Sequence, residues 1–168
     1  ELGGEEYKDV GQNDDHLKTG SVRRLIVGEP IGVFYGYRFD GIFQNEEECK
    51  QQTSSSSPIG VGLRRYKDLN GDGKVDAAND REILGDASPK FFGGLTNTFA
   101  YKGFELNVFL QYSYGNKIFN YNAMELENPT GGQNVFAEMI NRWTPEHPSS
   151  VYPKATTNRA LLVSDRFI

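Results

Sequence analysis

Two alternating segments between residues 91 and 114 constrain this chain more than any other feature of its sequence. Large apolar residues occupy every second position from 104 to 114, and mostly polar residues stand between them. Successive side chains of a β-strand point to opposite faces, so this alternation predicts a strand with one apolar and one polar face. A tight turn at Lys102 and Gly103 would join it to the preceding segment as an antiparallel hairpin.

The two faces of the predicted hairpin differ in composition. The apolar face consists of Leu95, Phe99, Tyr101, Phe104, Leu106, Val108, Leu110, Tyr112 and Tyr114, with Asn97 as the exception. The opposite face carries Glu105, Asn107, Gln111 and Ser113, with Phe109 as its exception. Eleven residues of about 3.3 Å each, tilted by about 40 to 45°, rise roughly 25 Å, which is the height of the apolar band of a membrane barrel.

The alternation alone fits two kinds of protein. A barrel strand turns its apolar side to lipid, whereas a strand of a soluble sandwich buries that side against a second sheet. Tyrosine stands at both ends of the apolar face, at Tyr101 and at Tyr112 and Tyr114. Amphipathic rings prefer the headgroup level of a bilayer, so their placement favours the barrel.

The composition predicts an all-β chain that does not bind nucleic acid. The 168 residues suit a single segment, and the 19 Gly, nine Tyr and eleven Phe favour short twisted strands over helices. The net charge of −5 lacks the basic stripe of a nucleic-acid binder. The single cysteine, Cys49, excludes a disulfide framework within the chain.

Three further segments complete the predicted organisation. Residues 31–43 alternate and predict a strand whose second face is mostly polar or small. Residues 44–90 are expected to form a long loop, which includes the low-complexity stretch 53–58 at a flexible tip. Residues 115–163 are expected to form a second long loop, with a short amphipathic helix between Val135 and Trp143 that Pro145 ends.

The clearest local motif is an aspartate-rich stretch within the first long loop. Calcium takes six to eight oxygen ligands, and a loop that places carboxylates or amides at alternate positions converges them on one point. Gly73 stands at position 6, where the backbone must turn sharply. The predicted ligands at positions 1, 3, 5, 7 and 9 are Asp68, Asn70, Asp72, the Lys74 carbonyl and Asp76.

The closing ligand of this motif is open between two residues. Position 12, where a bidentate Glu is expected, carries Asn79, and Asp80 follows one residue later. We predict Asp80 as the ligand and a structural Ca²⁺ that stiffens the loop. The alternative is an aspartate-rich turn that binds no metal.

No sequence pattern predicts an enzyme. The chain has no GxSxG elbow and no His or Cys spacing of a zinc site, and the stretch Gly60-Val61-Gly62 lacks the third glycine of a nucleotide fingerprint. Glycoside hydrolysis would need two carboxylates about 5 to 9 Å apart in a cleft. The acidic pairs of this chain stand in polar stretches, where solvated carboxylates are the rule.

Taken in order, four sequence blocks resemble the SusC/RagA family of TonB-dependent outer-membrane transporters. They are GEPIGVFYGYRFDGIF (28–43), YKDLNGDGKVD with DREILGDASPKFFGGLTNTFAYKGFEL (66–106), QYSYGNKIFN (111–120), and NRWTPEHP with SDRFI (141–168). The chain departs from the family pattern by one additional residue between Asp76 and Asp80. That departure concerns the closing metal ligand and not the family.

The resemblance implies a C-terminal segment of a large transmembrane β-barrel whose plug and remaining strands are absent from this chain. It implies import of oligosaccharides or peptides across the outer membrane of a Gram-negative cell, energised through TonB and assisted by a SusD-like surface lipoprotein. The aspartate-rich loop would be extracellular and the turn at Lys102 and Gly103 periplasmic. The alternative function is a soluble, calcium-stiffened β-module that binds carbohydrate as an adhesin does.

Overall fold

The computed structural model describes residues 22–127, 129–130, 132, 134–156 and 163–168, and the backbone of Tyr7–Val10. Short strands dominate this part of the chain, in agreement with the predicted all-β class. The strands are β1 (Tyr7–Val10), β2 (Arg23–Ile26), β3 (Val33–Tyr37), β4 (Phe39–Ile42), β5 (Thr53–Ser54), β6 (Arg64–Tyr66), β7 (Lys74–Val75), β8 (Arg81–Gly85), β9 (Phe91–Tyr101) and β10 (Phe104–Tyr114). The helices are α1 (Glu46–Gln51), α2 (Tyr121–Leu126) and the 3₁₀ helices Ala137–Asn141 and Asp165–Phe167.

The hairpin formed by β9 and β10 has the predicted turn and register. The strands are eleven residues long and pair without a register shift from Tyr101 opposite Phe104 to Phe91 opposite Tyr114. Lys102 and Gly103 both have positive φ, 47° and 86°. This is the sign of a type I′ turn, whose twist matches that of the flanking strands.

The apolar face of the hairpin is exposed to its surroundings. Leu106 and Leu110, near the middle of β10, keep 59% and 56% of their surface exposed. A soluble sandwich would cover such residues with a second sheet. Among the described residues no sheet covers them, and the described strands form four separate sheets and not a closed barrel.

A four-stranded antiparallel sheet in the order β1, β2, β3, β8 forms the centre of the remaining structure. The predicted strand 31–43 is wrong in its length. It breaks at Arg38 into β3 and β4, which pair with different strands, β3 with β2 and β8 and β4 with β6. Residues on both faces of β3 are buried: Val33, Phe34, Gly36 and Tyr37.

Two small cores hold this body together. One consists of Tyr37, Tyr66 and Val75, with the two tyrosine rings 5.6 Å apart. The other joins α2 to the C-terminal segment 163–168 through Met124, Val163 and Phe167. The aspartate-rich loop therefore packs on one core, and the end of the described chain packs on the other.

Short helices occur where side chains cap the backbone. Asn45 accepts the Glu48 N–H at the start of α1, and Asn120 accepts the Ala123 N–H at the start of α2. The sequence reasoning missed both helices. None of the helices in the described part of the chain is long and apolar enough to cross a membrane.

The amphipathic helix predicted between Val135 and Trp143 is present only as the 3₁₀ helix Ala137–Asn141. Of the predicted apolar stripe, Met139 is buried, whereas Ile140 is 82% exposed. Phe136 and Arg142 have extended backbone on either side. With one buried residue to hold it, the segment gains too little from packing to extend into an α-helix.

Candidate functional site

The start of the aspartate-rich loop, residues 68–80, is ordered by Asp68. Its two carboxylate oxygens accept separate backbone N–H groups, Oδ1 from Gly71 at 2.7 Å and Oδ2 from Gly73 at 2.6 Å. Both glycines have positive φ, 77° and 78°. Glycine adopts this conformation without steric cost, which is why the loop can fold around one carboxylate.

Asn70 and Asp72 continue the same arrangement. Asn70 Oδ1 accepts the Asp72 N–H at 3.1 Å, and Asp72 Oδ1 accepts the Lys74 N–H at 2.7 Å. The Asn70 amide also donates to Asp72 Oδ2 at 3.0 Å. The side chains of Asp68, Asn70 and Asp72 are therefore all held by hydrogen bonds within the loop.

Asp76 accepts backbone N–H groups from the turn that follows it. Its Oδ1 accepts from Asn79 at 2.9 Å and from Ala78 at 3.0 Å, and Lys74 Nζ lies 3.3 Å from Oδ2. The Asn79 N–H, followed by the bonds to Lys74 and Ala78, lowers the pKa of the Asp76 carboxyl. The side chain is therefore held as a carboxylate.

Asp80 connects the two ends of the loop through hydrogen bonds of its carboxylate. It is fully buried, and its oxygens accept the Leu69 N–H at 2.8 Å and the Asp76 N–H at 2.7 Å. Asn79 is exposed and lies beside Asp76, with 3.5 Å between its amide nitrogen and Asp76 Oδ2. Of the two residues predicted to close the metal site, Asp80 is thus the one that organises the loop.

The loop is anchored to the body by β7 and by the stretch predicted as a flexible tip. Val75 is buried in the core, and β7 pairs in parallel with β5. Ser56, within the same low-complexity stretch as β5, accepts the Tyr37 hydroxyl at 2.9 Å. Burial raises the pKa of Tyr37, so this hydroxyl stays protonated as a donor. No sequence pattern predicts that this serine-rich stretch pairs with the aspartate-rich loop.

The donor set of the loop fits a hard cation in type, since all the predicted ligands are oxygens on one short segment. In the structure the carboxylates of Asp68, Asp72, Asp76 and Asp80 accept backbone N–H groups. Among the described residues, no group of three or more acidic, His or Cys side chains stands at metal-binding spacing. The calcium site is therefore still a prediction.

The polar face of the hairpin carries a short chain of hydrogen bonds. Thr98 Oγ1 donates to Asn107 Oδ1 at 2.5 Å, and the Asn107 amide donates to Glu105 Oε1 at 3.1 Å. Phe109 interrupts this face, with its ring over Gly94, where an added Cβ would lie 3.0 Å from the ring. The face is thus polar near the turn and partly aromatic further up.

Aromatic side chains make contacts at both ends of the apolar face. At the open end, the Phe91 ring lies 5.0 Å from Tyr114 and 6.1 Å from Tyr112. At the turn, the Lys102 ammonium lies 5.3 Å from the Tyr101 ring. Phe91 belongs to this set although the sequence reasoning did not include it.

No family model matches the chain. The chain is 35% identical to TonB-dependent receptor P3 of Formosa agariphila over 149 residues, which are 89% of this chain and 15% of that protein. It is 36% identical to TonB-dependent receptor P26 of the same organism over 155 residues, 92% of this chain and 15% of that protein. It is 26% identical to TonB-dependent receptor P39 of the same organism over 190 residues, and this match covers 88% of this chain and 18% of that protein. The chain thus spans less than a fifth of the length of these relatives.

Proposed function

We propose, from the premise that this chain is homologous to one segment of TonB-dependent receptors, that it forms part of the barrel wall of an outer-membrane transporter. The observation that carries the proposal is the hairpin, which leaves Leu106, Leu110 and their apolar neighbours exposed between two aromatic ends. Lipid would cover this face in a membrane. Neighbouring strands of the complete barrel would pair with the free edges of β9 and β10.

The connections at the two ends of the hairpin support one orientation. The turn at one end has only two residues. At the other, open end the hairpin is joined by the two long segments, 44–90 and 115–163. Bacterial barrels have short periplasmic turns and longer extracellular loops. We therefore place Lys102 and Gly103 on the periplasmic side and the two long segments, with the aspartate-rich loop, outside the cell.

The polar face of the hairpin would then look into the barrel. In the proposed transporter it lines part of the path for an oligosaccharide or a peptide, while a SusD-like lipoprotein contacts the extracellular segments and TonB supplies energy from the other side. The resemblance to SusC/RagA proteins supports these assignments. Co-purification of such a lipoprotein with the full-length receptor is the corresponding test, and a receptor that purifies alone from native membranes would speak against that partner.

The first experiment asks whether the full-length parent is an outer-membrane barrel. We expect it in the outer-membrane fraction, soluble only with detergent, and migrating differently on a gel before and after heating. This shift reports a folded barrel that resists the detergent until it is heated. A full-length parent that is freely soluble without detergent would contradict the proposal.

We also propose that residues 68–80 bind a structural Ca²⁺ that stiffens the extracellular loop. The supporting observation is the oxygen donor set held on one side by Asp68 and Asp72 and on the other by Asp76 and Asp80. Calorimetric titration with Ca²⁺ should give binding that Asp72→Ala weakens strongly. Asp86→Ala, outside the loop, serves as the matched control. Equal affinity of the wild type and Asp72→Ala, or no binding by either, would mean that these residues form an aspartate-rich turn and not a calcium site.

A further inference from the structure

A cleft of about 420 Å³ opens where the hairpin meets the body of the chain, just beyond Tyr114. Its position is at the end of the hairpin opposite the turn. Two cationic residues and one amide stand among apolar ones in its wall. The lining residues are Val22, Arg23, Phe34, Ala87, Asn116, Lys117, Ile118 and Phe119.

The polar face of the hairpin leads to this end. Lys90 directly precedes β9, and its N–H donates to the Tyr114 carbonyl at 2.9 Å. Its stem covers Gly115, where an added Cβ would lie 2.8 Å from Lys90 Cγ. Lys90 therefore lies over the residue that follows β10, at the open end of the hairpin.

Lys117 is held across the end of β8. Its backbone N–H donates to the Asp86 carbonyl at 2.8 Å, and an added Cβ on Gly85 would lie 2.7 Å from Lys117 Cγ. Arg23 contributes to the cleft from β2, with its guanidinium 5.9 Å from the centre of the Phe34 ring. The two cationic side chains of the cleft therefore come from separate parts of the chain, β2 and the segment that follows β10.

Two lysines in this region, Lys90 and Lys117, have no acidic partner among the residues that the structure describes. In the described part of the chain neither Lys90 nor Lys117 forms an ion pair, whereas Arg38 and Arg65 do. Among the described residues that line the cleft there is no Asp or Glu. The Asp86 carboxylate, next to the cleft, accepts the Ser88 N–H at 3.0 Å.

We propose that this cleft, with Lys90 beside it, binds an acidic group of a transported saccharide, a carboxylate or a sulfate, at the outer mouth of the barrel. The inference rests on the proposed function and names the substrate class within it. Cationic side chains attract such groups electrostatically and form charge-assisted hydrogen bonds with them. The Asn116 amide and the partly exposed Phe119 ring suit a sugar ring with hydroxyl groups, which favours an acidic saccharide over an acidic peptide.

The test uses the full-length receptor in detergent and measures binding by calorimetry. The probes are an oligogalacturonate with its methyl-esterified counterpart, a sulfated galactan oligosaccharide with its desulfated counterpart, a polyglutamate peptide, and inorganic sulfate. At least one acidic saccharide should bind about tenfold more tightly than its uncharged counterpart, the effect of one charge-assisted contact. Lys117→Gln should abolish that difference, and Lys50→Gln on α1 should preserve it.

Three results would overturn the inference: equal binding of charged and uncharged saccharides, an unchanged preference in Lys117→Gln, or equal binding of polyglutamate or inorganic sulfate. Heat-dependent gel migration of each variant shows whether the barrel is intact. A parent that forms no barrel refutes the proposed function. An intact barrel without the preference refutes the cleft assignment alone.

Discussion

At the scale of single residues, Gly36 shows how closely the C-terminal segment approaches the central sheet. A Cβ at this position would lie 2.4 Å from the Val163 carbonyl oxygen. That same carbonyl accepts the Tyr37 N–H at 2.8 Å, so the two backbones are bonded directly. Glycine is required here by the close approach of another backbone and not by its own φ.

Gly36→Ala should therefore destabilise the chain by about 1 to 3 kcal/mol, because the contacting atom is backbone and cannot move aside like a flexible side chain. Gly132→Ala is the control, since no described residue places an atom within 4 Å of the position of its Cβ. Denaturant titration of both variants gives the free energy of unfolding. Equal stability of the two variants would contradict the contact with Val163.

A second prediction at the scale of single residues concerns the pKa of Asp76. Its pKa lies below the ordinary 3.8 because the folded state gives it the Asn79 N–H. Stability from this carboxylate is present above the pKa of the unfolded chain, about 3.9, and is lost as the pH falls through the lower folded pKa. Asn79→Pro removes the donor, so the pKa of Asp76 should rise toward its ordinary value.

The matched control for this change is Asn79→Ala, which keeps the backbone N–H. A carboxyl carbon titration followed by NMR measures the pKa of Asp76 in each variant. If proline and alanine leave the same pKa, the Asn79 N–H is not the cause of the shift.

At the scale of elements, the hairpin and the strand 31–43 have opposite outcomes. The hairpin is stabilised by its own register, cross-strand pairs and type I′ turn, all of which are local. The segment 31–43 instead pairs with strands far away in the sequence, β8 and β6, and these partners divide it at Arg38. Alternation shows that a strand exists, but its length and covered faces depend on the partners.

Substitution by arginine on the two faces of β10 should have different effects in the full-length receptor. Leu110→Arg places a charge in the middle of the apolar face and should cost about 2 to 4 kcal/mol in a membrane. Gln111→Arg, the next residue, lies on the polar face and should be tolerated. The fraction of heat-modifiable protein in the outer membrane measures the effect. Equal loss in both variants would contradict the assignment of the faces.

At the scale of the whole molecule, one buried ion cluster joins distant parts of the chain. Glu127, which follows α2, accepts two bonds from Arg166 at 2.8 and 3.0 Å and lies 3.4 Å from Arg64 of β6. The Arg166 guanidinium also lies 5.1 Å from the Phe39 ring of β4. Within the described part of the chain, Arg64 Nε is buried without a hydrogen-bond partner. Both arginines therefore depend on the one carboxylate.

Glu127→Gln should destabilise the chain by about 3 to 5 kcal/mol, because it leaves two buried guanidinium groups without a counter-charge. Glu82→Gln, which removes the partner of the more exposed Arg38, should cost no more than about 1 kcal/mol. Thermal unfolding of the two variants compares these costs. A cost for Glu127→Gln as small as for Glu82→Gln would show that the cluster contributes little.

The comparisons confirm the resemblance to TonB-dependent receptors, and they are compatible with the SusC/RagA subgroup, which stays a prediction. These relatives are named receptors, which is compatible with the prediction that the chain is not part of an enzyme. The calcium site, the saccharide or peptide substrate and the lipoprotein partner stay proposals. The substrate and the lipoprotein partner concern the whole protein, and the chain spans less than a fifth of the length of its relatives.

The sequence by itself determined the hairpin, its turn, its two faces and the composition of the aspartate-rich loop, because alternation, a glycine turn and ligand spacing act over a few residues. Only the tertiary structure decided that Asp80 closes that loop from a buried position, that residues 53–58 pair with it, and that Lys117 and Arg23 share a cleft. Each of these depends on segments brought together by the fold. The exposure of the hairpin's apolar face likewise required the structure, since alternation alone cannot say whether a second sheet or lipid covers a strand.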